Sequence, residues 1–257
     1  MRILKSLWLI INYKSLIVVS LACLSTYLCG VYGINADFPM TIVGIAVVFP
    51  IVFSIGGAYN RRETDLKHYS SLKAHGRALF FACRDWVPNT DPEYQAKIKE
   101  LLRDIMKAVR DFLHSETQEH RAKENIVYGK FSELSLFIKS FRDRELPSGE
   151  ASRTNQYLSK MLDAFESLKH IYQYRTPVTL RAYSKFFILI VPILYGPYFE
   201  HIASGLHIVL RMLMPALLSL VLVSLDNIQD HLENPYDQVG EDDVQINAEK
   251  FFDWLDS

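Results

Sequence analysis

The sequence predicts an all-α membrane protein with four transmembrane helices and a helical bundle outside the membrane. Two observations predict this class: two nearly uncharged stretches interrupt a highly charged chain of 257 residues, and apolar residues between them recur at helical spacing. The total charges almost cancel, with 28 Lys and Arg against 29 Asp and Glu. Charge balance argues against a nucleic-acid-binding domain, and 49% hydrophobic residues argue against disorder.

The first uncharged stretch contains two membrane spans that form a helical hairpin within residues 1–60. Ser15–Ile34 is free of charge, and so is Phe38–Asn60, which lies between Asp37 and Arg61. About 20 helical residues cross the hydrocarbon core of a bilayer. Because Ser15–Ile34 is longer than the core of a cleavable signal peptide, it predicts a retained membrane anchor.

Residues 61–175 are predicted to form a cytoplasmic helical domain. Asp91-Pro92 is typical of a helix N-cap followed by a proline in the first turn, and Arg142–Ser152 predicts a loop. Residues 58–185 together carry a net charge of +6. Apolar residues at helical spacing occupy four segments: Leu66–Cys83, Ile98–Leu113, Val127–Phe141 and Tyr157–Tyr172.

Residues 176–225 are predicted to contain the third and fourth transmembrane helices, Phe186–Phe199 and Ile202–Leu225. The third contains Pro192 and Pro197, and the fourth contains Pro215 and one charge, Arg211. Proline-broken spans are tolerated only where neighbouring protein satisfies the freed backbone groups. A charged side chain in a membrane is costly, so Arg211 is expected to face protein or water.

Basic residues on both sides of the hairpin predict its orientation. They are Arg2, Lys5 and Lys14 before it, and Arg61, Arg62 and Lys67 after it. The positive-inside rule then places both termini in the cytoplasm. We expect the protein to lie in the plasma (inner) membrane. The acidic tail, residues 226–257, has a net charge of −9. We expect Asp226–Glu233 to be helical and the tail to pack on the cytoplasmic domain through its carboxylates.

No catalytic or metal-binding pattern is present in the sequence. It contains no GxSxG, P-loop, GxGxxG or HExxH motif, and Cys23, Cys29 and Cys83 show no CxxC spacing. We therefore predict no enzyme activity, no catalytic residue and no metal ligand.

Ile45, Phe49 and Phe53 stand out in the second span. They are spaced at i, i+4 and i+8 and therefore lie on one side of the helix. One interpretation is ordinary packing or contact with lipid. The other is a hydrophobic constriction, in which apolar side chains gate a pore by excluding water. Val43 is expected to face lipid.

Three other residues of the second span predict a hinge. Pro50 lacks the N–H that would bond to the carbonyl of Ala46, and Gly56 and Gly57 are expected to end the span as a flexible pair.

Three stretches of the sequence, in chain order, resemble the bestrophin family, with a divergent, bacterial-type pattern. The first resembles its second transmembrane helix, the second its approach to the third, and the third the segment after the fourth. These stretches are Phe38–Ala46 with Phe53 and Ala58–Arg61, then Arg175–Val178 with Ala182–Ser184, then Leu225–Ile228 with Leu232–Tyr236.

The resemblance implies a homopentamer around a central pore, with Ile45, Phe49 and Phe53 as its neck. It implies a channel for small ions, with anions such as chloride as the first choice, so its partners would be other copies of itself, the bilayer and the permeating ions, and no nucleic acid. A monovalent-cation channel of the same fold is an alternative, because the tail is acidic. A membrane-anchored scaffold without conduction is another, because Arg62 and Glu63 stand where the family has aromatic residues.

The resemblance also bears on cofactors. Animal members bind calcium at an acidic run, which is reduced here to Glu241-Asp242-Asp243 with no Phe-Gly pair before it. No cofactor is predicted, and a calcium ion at this run is the alternative.

Overall fold

A computed structural model describes residues 11–37, 39–115, 118–174, 177–233, 236 and 251. Within these residues the backbone forms helices and no strand, which confirms the predicted all-α class. The helices, numbered in chain order, are α1 Tyr13–Tyr32, α2 Met40–Trp86, α3 Pro92–Leu113, α4 His120–Lys139, α5 Ser148–Gln173, α6 Val178–Leu194, α7 Gly196–Ala203 and α8 Ile208–Glu233.

Three of these helices are long and apolar enough to cross a membrane: α1, α2 from Val43 onward, and α8. The number rises to four if α5 and α6, a bent pair, are counted as one span. The predicted count of four spans therefore stays a prediction.

The described residues fall into two compact units. The first contains the residues before Arg61 and those from Pro177 to Tyr236, and the second contains Arg61–Tyr174 with Phe251.

In the first unit, α1 packs against α6, α7 and α8, and α6 packs against α8. Asn12 caps α1 by accepting hydrogen bonds from the backbone N–H groups of Lys14 and Ser15. The helix ends at Gly33, whose φ of 65° is a left-handed conformation that glycine adopts without strain. The buried core contains Val18, Val47, Ile51, Ile188, Val191, Tyr195, Phe199, Leu222 and Val223.

Helix α2 is a single helix of 47 residues, much longer than the predicted span. Gly56 and Gly57, which were expected to end the membrane span, lie inside this helix. Arg61, Arg62 and Glu63 follow them, and these are good helix formers that contain no breaker. Their charged side chains favour water over lipid, but they leave the helical hydrogen bonds of the backbone intact.

The second unit contains α3, α4 and α5, which pack on one another. The predicted N-cap is confirmed: Asp91 accepts a 2.6 Å hydrogen bond from the N–H of Tyr94, and Pro92 begins α3. This backbone hydrogen bond, and then the bond from Arg144, lower the pKa of Asp91. The loop before α5 is shorter than predicted, because the helix already begins at Ser148.

Lys169 joins α4 to α5 in the second unit. Its ammonium group lies 2.7 Å from Glu166 and 3.1 Å from Glu124, and it donates to the hydroxyl of Tyr128. Burial favours a higher pKa for the Glu166 carboxyl, but the hydrogen bonds from Lys169 and Tyr128 outweigh it and hold that pKa below its usual value. This network of charge-assisted bonds therefore stays ionised and fixes the two helices together.

The described part of the acidic segment is helical, but its carboxylates pair with basic side chains of α6 in the first unit and not with the helical domain. Helix α8 continues to Glu233, which confirms the predicted helix over Asp226–Glu233. Asp230 lies 3.0 Å from Lys185, and Glu233 lies 3.2 Å from Arg181, so both carboxylates meet basic side chains.

Phe251 is the described residue that lies furthest along the tail. It is buried in the second unit, with the guanidinium of Arg77 5.6 Å from its ring centre. The tip of this ring lies close to Gly76, at 3.4 Å from where a Cβ would stand. The tail therefore does pack on the helical domain at this position.

Candidate functional site

The predicted neck residues lie on the exposed side of α2. Ile45, Phe49 and Phe53 are 61%, 61% and 63% exposed, although all three are large and apolar. Val47 and Ile51, on the opposite side of the same helix, are buried in the core of the first unit. The chain alone therefore does not cover this row of side chains, and it needs another apolar surface.

The sequence had suggested that Val43 faces lipid, and the structure places it elsewhere. It is partly buried and packs against the core of the first unit. The reason is its helical position: Val43, Val47 and Ile51 are spaced at i, i+4 and i+8, so they share the buried side of the helix.

Phe49 and Phe53 contact each other edge to face. Their ring centres are 4.7 Å apart and their planes are inclined by 79°. This is the favoured geometry of an aromatic pair, and it stabilises the orientation of both rings.

Pro50 lies inside α2 and cannot donate to the carbonyl of Ala46. The hydroxyl of Tyr183, on α6, donates to this carbonyl at 3.2 Å. The sequence identified the freed carbonyl but not its donor. The available signal was Tyr183 itself, within the Ala182–Ser184 stretch that resembles the bestrophin family.

A second hydroxyl bonds to a backbone carbonyl near the end of α6. The hydroxyl of Ser25, on α1, donates to the carbonyl of Ile193 at 2.7 Å. Gly196 allows the approach, because a Cβ there would collide with the hydroxyl of Ser25. At Pro50 a neighbouring helix thus satisfies the backbone group that the proline frees.

Arg211 faces protein, as expected, and forms an ion pair with Glu200. Its Nη1 lies 3.0 Å and 3.1 Å from the two carboxylate oxygens, and the two side chains are 22% and 10% exposed. Gly30 lies against the pair: a Cβ there would be 2.8 Å from Nη1 of Arg211. Sequence reasoning missed Glu200, although an isolated acid beside a span that contains an isolated arginine was a signal for such a pair.

The remaining predicted residues are not gathered into one site. Pro50, Gly56 and Gly57 are all within α2, and a Cβ at Gly56 would meet open space. Among the residues that the structure describes, no group of three acidic, His or Cys side chains could hold a metal ion. Glu241-Asp242-Asp243 lies outside the described residues.

Together these observations define a class: an integral membrane protein whose described residues are all-helical, with helices long and apolar enough to cross a bilayer. Its sequence matches no protein-family model. It is not significantly similar to any curated protein either.

Solved structures identify the fold within this class as that of the bacterial bestrophin homologues. A crystal structure of such a homologue from Klebsiella pneumoniae, with a tyrosine-to-alanine substitution, matches with a TM-score of 0.81 at 15% identity, over 94% of this chain and 97% of that chain. A crystal structure of the same homologue without a stated substitution gives 0.78 at 15% identity, over 95% and 94%. One described as a membrane protein, with a proline-to-alanine substitution, gives 0.81 at 14% identity, over 95% and 98%. The resemblance that the three sequence stretches suggested is thus confirmed for the fold.

The bond between Tyr183 and Ala46 predicts an interaction with Pro50 that a double-mutant cycle can measure. Tyr183→Phe leaves the Ala46 carbonyl without its donor, which should cost about 1 kcal/mol. For a chain of this size that lowers the melting temperature of the purified protein by about 2–4 °C. Pro50→Ala restores a backbone N–H at the carbonyl, so adding Tyr183→Phe to it should cost nothing. Equal losses in both backgrounds would contradict the assignment, and Tyr27→Phe, on the exposed side of α1, is the control.

The pair of Glu200 and Arg211 predicts that a single replacement destabilises the protein much more than replacement of both residues. Glu200→Met leaves Arg211 buried without a partner and should destabilise the protein by about 3–5 kcal/mol. Glu200→Met with Arg211→Met removes both charges and should be near neutral. Thermal unfolding in detergent, with size-exclusion chromatography as a check on assembly, measures both. A double variant as unstable as the single one would show that the pair is not coupled.

Proposed function

We propose that the chain is a subunit of a bestrophin-like homopentameric channel that passes small ions, anions such as chloride in the first place. The observation that carries this proposal is the exposed row of Ile45, Phe49 and Phe53 on a helix whose opposite side is packed into the core. In a ring of copies, this side of α2 faces the axis. The likeness to bacterial bestrophin homologues, whose family consists of ion channels, supports the same conclusion.

The chemistry of the row suits a neck. Five copies of each residue stack as three apolar rings along the axis of the pore. Water has no hydrogen-bonding partner within such rings and leaves them, and an ion cannot pass without its hydration shell or a substitute for it. The neck therefore acts as a hydrophobic gate.

Pro50, Gly56 and Gly57 form the hinge of this gate. Pro50 lacks one helical hydrogen bond, and the carbonyl it frees is held from outside the helix, by the hydroxyl of Tyr183. A side-chain bond of this kind is exchanged more easily than a helical one. Since the space around Gly56 is open, the backbone there bends without a collision.

The charge distribution supports anions. Residues 58–185 carry a net charge of +6, which raises the local concentration of anions at a cytoplasmic vestibule. Both termini lie in the cytoplasm, and the channel belongs to the plasma membrane. The sequence contains no GxSxG, P-loop, GxGxxG or HExxH motif, and the function proposed is transport and not catalysis.

Assembly is the first test of this proposal. The purified full-length protein should have a native mass of five chains, and particle images should show five-fold symmetry. A monomer, or a ring of another order, would overturn the pentamer.

Conduction is the second test. The protein reconstituted in planar bilayers should show single-channel steps. Replacing Ile45, Phe49 and Phe53 with alanine should widen and wet the neck, which raises the conductance and weakens closure. The matched control replaces Val209, Leu210 and Leu213, three exposed apolar residues of α8, with alanine and should conduct like the parent.

The same recordings separate the competing functions. In a gradient of potassium chloride, an anion channel reverses near the chloride potential and a cation channel near the potassium potential. A ring that shows no steps at any voltage or salt is a scaffold. A triple-alanine ring that conducts like the parent would remove these three residues from the neck.

A further inference from the structure

Helices α1 and α8 of the first unit enclose a groove of about 840 Å³. Its walls are almost entirely apolar and include Leu16, Ile17, Val19, Ala216, Leu217 and Leu220. Both helices are among those long and apolar enough to cross a bilayer. Between two such helices, an apolar groove favours hydrocarbon over water as its contents.

One polar group in the groove has no partner. Ser15 lines it and is only 1% exposed, yet its hydroxyl forms no hydrogen bond with any part of the chain that the structure describes. Hydroxyls in helices usually bond back to a carbonyl of the preceding turn, as Thr26 does to Ala22 in the same helix. A buried donor without an acceptor is unfavourable, which indicates that a molecule outside the chain supplies the acceptor.

The polar end of the groove lies at the start of α1. Asn12 and Tyr13 line it, and the ammonium group of Lys14 is only loosely held, 3.6 Å from Asp230. The N-terminus of a helix carries partial positive charge, so an anionic group is favoured there. From Tyr13, where α1 begins, to Val19, at about 1.5 Å per residue, the helical wall of the groove extends about 9 Å.

We propose that this groove binds an acyl chain of a diacyl glycerophospholipid, with the ester carbonyl accepting a hydrogen bond from Ser15 and the phosphate at the start of α1. The order of groups along the groove matches the order along the lipid: phosphate, ester, hydrocarbon. A helix of a second copy fits less well, because its backbone carbonyls are already bonded within the helix and offer Ser15 no acceptor. The site does not depend on conduction, so its test is independent of the test of the proposed channel.

Native mass spectrometry of the full-length protein in detergent tests the site. The probes are dioleoyl phosphatidylglycerol and its diether analogue, which has the same headgroup and hydrocarbon but no ester carbonyl. The ester lipid should bind about two- to ten-fold more tightly than the ether, the range expected of one hydrogen bond. Ser15→Ala should abolish this difference. Equal binding of the two lipids by the unmodified protein, which requires no variant, would overturn the role of Ser15.

A second pair of variants tests the groove itself. Ala216→Trp fills it from the wall of α8 and should weaken binding of both lipids at least ten-fold, while the assembly keeps its mass. Met214→Trp, an exposed position on another side of the same helix, is the matched control and should bind both like the parent. If Ala216→Trp changes the number of chains in the assembly and leaves lipid binding intact, the groove holds a second copy and the proposal is wrong.

Discussion

A backbone carbonyl in the hydrocarbon of a bilayer has no water to bond to, so a carbonyl that a proline frees needs another donor. Pro50 frees the carbonyl of Ala46, and the hydroxyl of Tyr183 bonds to it. The hydroxyl of Ser25 bonds in the same way to the carbonyl of Ile193, near the end of α6. Each bond also joins two helices, α6 to α2 and α1 to α6. The break that Pro50 makes in α2 is therefore also the place where α6 bonds to α2.

Charge inside the first unit obeys the same requirement. Arg211 and Glu200 satisfy each other, and Gly30 leaves the space that the pair occupies on α1. The close approaches at Gly30 and Gly196 both involve α1, the helix that contacts α6, α7 and α8. The glycines at these two contacts, one on α1 and one on α7, therefore allow the helices to approach closely enough for polar groups to pair.

Local features of the sequence could be predicted because their causes are local. The helical class, the N-cap at Asp91 and the carbonyl that Pro50 frees depend on residues within one or two turns. The donors could not be predicted, because Tyr183 and Ala46 are 137 positions apart, and Ser25 and Ile193 are 168 apart. The length of α2 was missed for another reason: the change from apolar to charged residues after Asn60 marks a change of solvent, which a helix passes through without ending. For the candidate site, the side of the helix could be deduced from spacing, but what covers that side depends on other molecules.

The edge-to-face contact of Phe49 and Phe53 has a consequence for which ions a neck built from them admits. An aromatic ring is electron-poor at its edge and electron-rich at its face, so an edge attracts anions and a face attracts cations. Because the two planes are inclined by 79°, the rings can both turn an edge towards the axis, but they cannot both turn a face towards it. Whenever one of the two rings turns its face to the axis, the other turns an edge. A neck built from this pair therefore never offers two adjacent rings of electron-rich faces, the arrangement that would attract cations most.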